Sequence, residues 1–286
     1  DGIHKGHKFI LRQLRNYKRT KSDKIGVLTF SPHPVKILNP KKWKKNLIKF
    51  RTKYYLLKNE QVDYLINIRF DLKFSELSAK IFIEKYLIDL LSVKTILVGE
   101  DFRFGKNREG DIKLLKDYND LGKFHLKCFE KVGGKKIFSS SLARNHLLLG
   151  NIEEINEILG YNWEVTGKVV KGKAKGRELG FPTANMEYLY QIAPSNGIYA
   201  SWVKIENEKI WRMAAISTGT RPQFKGKEKI LEVHIMDFNG ILYQKRLRVT
   251  FIKKIRNELV FDTEENLIKQ MNEDCKLIKN ILMRKK

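Results

Sequence analysis

Gly176, Gly180, Thr183 and Asn185 fall within one ten-residue stretch, Gly-Arg-Glu-Leu-Gly-Phe-Pro-Thr-Ala-Asn, in a lysine-rich part of the chain. Glycines let backbone N–H groups close on a phosphate, and the nearby lysines supply positive charge. The Thr183 hydroxyl and the Asn185 amide oxygen are hard oxygen donors, the kind Mg²⁺ takes beside substrate phosphates. The spacing predicts a loop that binds phosphate and a divalent metal. The plainer alternative is a polar turn between two strands.

A second phosphate motif opens the chain: His4, Gly6 and His7 in Asp-Gly-Ile-His-Lys-Gly-His, leading into a helix on which Ile10, Leu14 and Tyr17 recur at helical spacing. A helix amino end attracts anions, Gly6 lets a nucleotide lie against the backbone, and both imidazoles can donate hydrogen bonds to phosphate oxygens. Taken alone, such a histidine pair is more often structural or coincidental.

Its companions are Thr29-Phe30-Ser31-Pro32-His33-Pro34, Gly99-Glu100-Asp101-Phe102-Arg103-Phe104-Gly105 and Ser139-Ser140-Ser141-Leu142-Ala143-Arg144. In this order and spacing, with the opening motif, they resemble the FMN adenylyltransferase half of bifunctional riboflavin kinase/FAD synthetases. The Gly176 to Asn185 stretch resembles the signature loop of riboflavin kinases and lies downstream, as in that family. The resemblance covers nearly the whole chain.

It implies two reactions. In the C-terminal part ATP would phosphorylate riboflavin to FMN, with Thr183 and Asn185 holding Mg²⁺ and ATP phosphate and Gly176 and Gly180 shaping the loop. Glu232 matches the family's catalytic carboxylate, and strand alternation turns it away from Leu231, Val233 and Ile235. Arg256 matches a family arginine near the flavin, a surface cation being the alternative. In the N-terminal part FMN phosphate would attack the α-phosphorus of ATP, giving FAD and pyrophosphate. His4 and His7 would stabilise phosphate charge. Ser140 and Arg144, a serine at a helix start and an arginine one turn later, would converge on the β and γ phosphates. Asp101 and Phe104 are assigned to the flavin side, Phe104 being alternatively a core residue. His33, held between two prolines, is a candidate nucleotide contact. His125, His146 and His234 lack partners at recognisable spacing and read as structural.

Two residues depart from the family pattern. Gln223 replaces a threonine in Ser217-Thr218-Gly219-Thr220-Arg221-Pro222-Gln223, and Gln244 replaces a glycine in Leu242-Tyr243-Gln244-Lys245. If that glycine needs a positive φ, Gln244 is strained.

These motifs need scaffolds, and 286 residues suffice for two domains with separate cores. The expected division is 1–160 and 161–286. From Asp1 to about Leu159, strand-like segments (Ile25 to Phe30, Val62 to Ile68, Thr95 to Val98) alternate with helical ones, including Ser78 to Leu91. That predicts an α/β domain, a Rossmann-like doubly wound parallel sheet with ligands beyond the strand carboxyl ends. Ser139 to Leu149 and Asn151 to Leu159 read as two short helices broken at Gly150. After Tyr161, strands at Trp163 to Val170, Ile198 to Ile205, Met213 to Ser217, Ile230 to Phe238 and Leu247 to Ile252 predict a small antiparallel β-barrel. Asn239-Gly240 reads as a hairpin turn. A closing helix from about Thr263 carries Leu267, Met271, Ile278 and Leu282 on one face.

The net charge of +25 invites a nucleic-acid reading. The lysines are dispersed, not gathered into an arm, and a general lysine bias gives the same sum, so no nucleic-acid partner is expected. No apolar run reaches the roughly 18–20 residues of a membrane span, so no membrane partner is expected either. Cys128 and Cys275 read as ordinary buried thiols in a reducing compartment, hence a cytoplasmic location. The family pattern places Asp1 at the end of a first strand, which predicts that the natural protein extends upstream by at least one strand of about five or six residues. The oligomeric state has no signature. Rival readings are another adenylyltransferase with a His-x-x-His pair, against which Phe181-Pro182-Thr183-x-Asn185 argues, and a basic nucleic-acid-binding protein.

Overall fold

The computed structural model describes residues 1–18, 20–129, 138–172, 175–188, 190–219 and 230–284. The chain divides into two compact units, one of Ile3–Lys44 with Phe50–Phe138, the other of Asp1–Gly2, Lys45–Lys49 and Ser139–Lys286.

In the first unit, β1 (Gly26–Ser31) pairs in parallel with β2 (Tyr64–Arg69), and β3 (Thr95–Gly99) with β4 (His125–Phe129). Parallel neighbours require a crossover. Helix Phe50–Asn59 lies in the first connection and helix Ile112–Asp120 in the second. The two pairs form separate two-stranded sheets among the described residues. This is the expected α/β architecture with parallel strands. Strand β4 carries no apolar run, and its sequence HLKCF is largely exposed, so the pattern did not announce it. The core gathers Ala79, Phe82, Ile83, Phe104, Leu115 and Phe124.

Two helices here differ from expectation. Helix Lys5–Asn16 buries Gly6 and Leu11, whereas Tyr17 is exposed, so the inward stripe is rotated from Ile10, Leu14 and Tyr17. The segment after Ser78 is regular only over Ala79–Ile81 and then widens into a π-helix over Phe82–Leu90. Its end is closed by the Leu91 N–H on the Tyr86 carbonyl, five residues back, at 3.1 Å.

The second unit is a closed six-stranded barrel built from β5 (Glu164–Val170), β6 (Ala184–Glu187), β7 (Gly197–Ile205), β8 (Trp211–Gly219), β9 (Ile230–Ile235) and β10 (Arg246–Arg256). Its order is β10-β5-β6-β9-β8-β7, and every pairing is antiparallel. Period-2 alternation sends Leu231, Val233 and Ile235 to the buried face and Glu232 and His234 to the other. Trp163, Tyr199 and Phe251 are fully buried and in ring contact at 5.0 and 5.3 Å. The hairpin expected at Asn239-Gly240 does not form, because β9 pairs with β6 and β8 while β10 pairs with β5 and β7. Strand β6 was read from sequence only as part of the phosphate loop.

Helix Glu264–Met283 is capped by Thr263, whose hydroxyl accepts the Asn266 N–H at 3.2 Å. Its Ile278 and Leu282 pack on Ala200 and Ile252, as the apolar stripe predicts. Helices Ser140–Leu149 and Ile152–Leu159, joined at Gly150 with φ +84°, belong to this unit and not to the first. Asn156 ties them in by donating to the Phe251 carbonyl at 2.9 Å and accepting the Trp163 N–H at 2.7 Å.

Candidate functional site

On the barrel, β6 ends the glycine loop and places Asn185 directly opposite Glu232 of β9. The register runs on through Val170 of β5 on one side and Ser217 of β8 and Ile198 of β7 on the other, reaching Arg256 of β10. Asn185, Glu232 and Arg256, chosen by separate motifs, thus share one lateral row. Residues directly opposed across antiparallel strands project to the same face.

The loop before β6 is shaped by glycine. The Phe181 N–H donates to the Gly176 carbonyl at 2.7 Å, and a Cβ at Gly176 would lie 2.4 Å from the Phe181 carbonyl oxygen. Gly180 has φ +83°, a left-handed conformation that L side chains resist. Gly172, which the motif reading passed over, matters as much. A Cβ there would sit 1.5 Å from Asn185 Nδ2, so the bare α-carbon makes the room that the Asn185 side chain fills. Gly172, Arg177, Pro182, Thr183, Asn185 and Tyr243 line a cavity of about 30 Å³, room for about one water-sized ligand atom.

Thr183 and Asn185 bring neutral oxygens to this cavity. Among the described residues no group of three or more His, Cys, Asp or Glu could hold a metal ion unaided. Such a donor set fits a hard cation that keeps waters and completes its shell with substrate phosphates.

In the first unit, His7 Nδ1 accepts the His4 backbone N–H at 3.2 Å, so neutral His7 carries its ring hydrogen on Nε2. The two rings lie 3.8 Å apart. Burial lowers the His4 pKa to about 4, and burial together with the neighbouring His4 holds His7 well below the ordinary imidazole value. Both rings are therefore neutral donors near pH 7 in the free protein. His4 Nδ1 is buried, and the His4 side chain faces the His7 backbone in a reciprocal cap of the helix. Gly6 serves this pair: a Cβ would approach His4 Nδ1 to 3.0 Å.

Comparison with known proteins decides between the readings. Residues 1–142 match the FAD synthetase family model and residues 159–282 the riboflavin kinase model. A bifunctional riboflavin kinase/FMN adenylyltransferase of Buchnera aphidicola (subsp. Schizaphis graminum) is 36% identical over 98% of this chain and 90% of its own. Its counterpart in Escherichia coli K12 is 36% identical over 96% and 88%. The chain belongs to the bifunctional riboflavin kinase/FMN adenylyltransferase family. A solved structure from Streptococcus pneumoniae, described as a macrolide-efflux protein, has the same fold, with TM-score 0.88, 31% identity, and coverage of 98% of this chain and 91% of that one. No helix among the described residues here is long and apolar enough to cross a membrane.

Within the adenylyltransferase module, several expected residues sit differently from the sequence reading. Ser140 and Arg144 do converge, but on Asp1: the Ser140 hydroxyl donates to the Asp1 carbonyl, and Arg144 pairs with the Asp1 carboxylate, which also accepts the Leu47 N–H at 2.9 Å. The helix cap is Ser139, whose hydroxyl accepts the Leu142 N–H at 3.1 Å. Asp1, Ser140 and Arg144 belong to the compact unit that holds the barrel, His4 and His7 to the other. Phe104 is in the hydrophobic core, the alternative its sequence position left open. The ring stacked on it at 5.4 Å, Phe102, is exposed, as is Asp101. His33 Nδ1 accepts the Val35 N–H at 3.2 Å and starts a short helix.

Nothing in the local pattern singles out Lys53. It lies on helix Phe50–Asn59, donates to the Thr29 hydroxyl at 3.0 Å, and acts electrostatically on His7. Burial lowers its pKa.

In the kinase module, Arg256 is no surface cation. Its guanidinium forms a bidentate pair with buried Asp274 at 2.7–3.0 Å, and Gln270 also donates to that carboxylate at 3.1 Å. The loop substitution at Gln223 lies outside the described residues. Gln244 has φ +64°, the strained conformation its replacement of a glycine anticipates.

Proposed function

We propose that the barrel performs the kinase step at the Thr183–Asn185–Glu232 face, with Mg²⁺, and that the parallel-strand module adenylylates FMN around His4 and His7. In the kinase step the Glu232 carboxylate takes the proton of the riboflavin 5′-hydroxyl. The freed oxygen bonds to the γ-phosphorus of ATP as the bond to the bridging oxygen breaks, and ADP leaves. Thr183 and Asn185 would hold Mg²⁺, which would supply charge neutralisation at the ATP phosphates. The register that sets Asn185 opposite Glu232 carries this reading, since it brings a metal donor and a base to one face.

We assign riboflavin to the open groove of about 330 Å³ lined by Phe261, Asp262, Asn266 and Gln270, whose volume lies within the usual range of small-molecule sites. Arg256 is linked to the groove wall through Asp274 and Gln270. In the second step an FMN phosphate oxygen attacks the α-phosphorus of ATP, and pyrophosphate departs. Neutral His4 and His7 donate to the phosphate oxygens where charge accumulates.

The test is a time course with riboflavin, ATP and MgCl₂, the flavins separated by chromatography. FMN appearing first and FAD later is the expected result. FMN alone removes the second half of the proposal, and no flavin product removes both.

A further inference from the structure

His234 was read from sequence as structural, but its contacts give it a more definite task. It lies two residues beyond Glu232 on β9 and so on the same face of the strand. Its Nδ1 is 3.0 Å from the carbonyl oxygen of Pro182, and its ring meets that of Phe181 edge-on at 5.4 Å. A carbonyl only accepts, so Nδ1 carries the hydrogen in this contact.

The contact falls where the loop has least support. Upstream, the turn is held by the Phe181 N–H on Gly176 and the Gly180 N–H on the Arg177 carbonyl at 3.2 Å. Downstream, ladder pairing with β9 begins at Ala184. Pro182 has no N–H, and Thr183 stands outside the ladder between the two supports. A hydrogen bond on the Pro182 carbonyl fixes the plane of the Pro182–Thr183 peptide, and with it the direction in which Thr183 leaves the chain.

We propose that His234 is a positioning residue for phosphoryl transfer: by gripping the Pro182 carbonyl it holds the Thr183 hydroxyl toward the cavity shared with Asn185. This rests on the kinase reading of that face. His234 touches no reacting atom in this role. It acts through the peptide that carries a metal donor, so its effect falls on MgATP and not on riboflavin.

The test compares His234→Asn, His234→Gln and His234→Ala in steady-state FMN formation. Asparagine places an N–H donor one bond beyond Cγ, as Nδ1 is placed. Glutamine places it one bond farther, and alanine removes it. The expected result is a roughly tenfold rise in KM for MgATP in the Ala and Gln variants, about 1.4 kcal/mol of lost binding. The riboflavin KM and the conversion of supplied FMN to FAD stay unchanged, and Asn recovers most of the loss. Labelled-histidine NMR of the wild type at pH 8 should show His234 protonated at Nδ1. A hydrogen on Nε2 alone, an Asn variant no better than Ala, or equal losses for MgATP and riboflavin each overturn the proposal. Wild-type protein that makes no FMN overturns the kinase reading, and this proposal with it. Active wild type with three normal variants overturns this proposal alone.

Discussion

Asn185 and Glu232 are direct cross-strand partners on β6 and β9. The proposed metal donor and the proposed base are thereby held opposite one another by backbone pairing. Glu232→Gln keeps the shape and the register but removes the base. FMN formation should fall roughly 10²- to 10⁴-fold, the usual range for general-base loss, while supplied FMN is still converted to FAD. Rates of both steps in one preparation check this. Equal loss of both would mean that Glu232 supports the fold and not the proton transfer.

Gly172→Ala tests the room left for Asn185. With 1.5 Å between the new methyl and Asn185 Nδ2, the amide must leave its place or the strand must move. The expected outcome is a rise of tenfold or more in KM for MgATP in the kinase step. Gly180→Ala meets no neighbour within 4 Å but keeps a φ of +83°. It should cost about 1 kcal/mol of stability and leave KM nearly unchanged. Urea unfolding alongside kinetics separates the two glycines.

The glycine loop and the histidine pair stood out because particular residue types recur there at short spacing, and the structure brings each set together locally. The barrel strands were legible because alternation shows through a half-buried sheet, as at Ile230–Ile235. What escaped was long-range or unpatterned. Asn239-Gly240 carries a hairpin signal in sequence, yet β9 and β10 do not pair, and which strands flank β10 is decided by closure of the barrel. Phe104 and Phe102 stand two apart in one motif, and only packing tells which is core. The Arg144–Asp1 pair joins residues 143 positions apart, a relation that no local spacing encodes.

The buried histidines make stability depend on pH. His4 has a folded pKa near 4 against an ordinary 6.5, and His7 is lowered in the same direction. Between these values the unfolded chain binds protons that the folded protein refuses. Stability therefore falls as pH drops from about 6.5 toward 4 and is regained as pH rises. His4→Asn should flatten this slope, measured as the urea midpoint at pH 7.0, 6.0 and 5.0. His7→Ala should also lower FAD formation roughly 10²- to 10³-fold, the scale for losing one donor to developing charge, and spare FMN formation.

Gln244→Gly should stabilise the barrel. A left-handed non-glycine residue costs about 1–2 kcal/mol. Glycine returns roughly 0.4–1 kcal/mol of that through its looser unfolded state. A net gain of about 0–1.6 kcal/mol is expected, seen as a higher urea midpoint with an unchanged slope. Gln244→Val should shift the midpoint the other way. A midpoint that is unmoved by glycine would mean that the Gln244 side chain offsets its own strain.

The Arg256–Asp274 pair decides whether Arg256 serves the flavin or the fold. Asp274 is buried, and removing its cation leaves an uncompensated charge, so Arg256→Ala should cost about 3–5 kcal/mol. Loss of kinase activity in that variant would therefore say little about flavin binding. Replacing both partners, Arg256→Met with Asp274→Leu, removes the charge with the cation and should restore most of the stability. In that folded background the riboflavin KM becomes informative. A value near wild type assigns Arg256 to anchoring helix Glu264–Met283 against β10. A rise of tenfold or more, with KM for MgATP unchanged, shows that the guanidinium also orients the groove at Gln270, and so joins the flavin site to the row that holds Asn185 and Glu232.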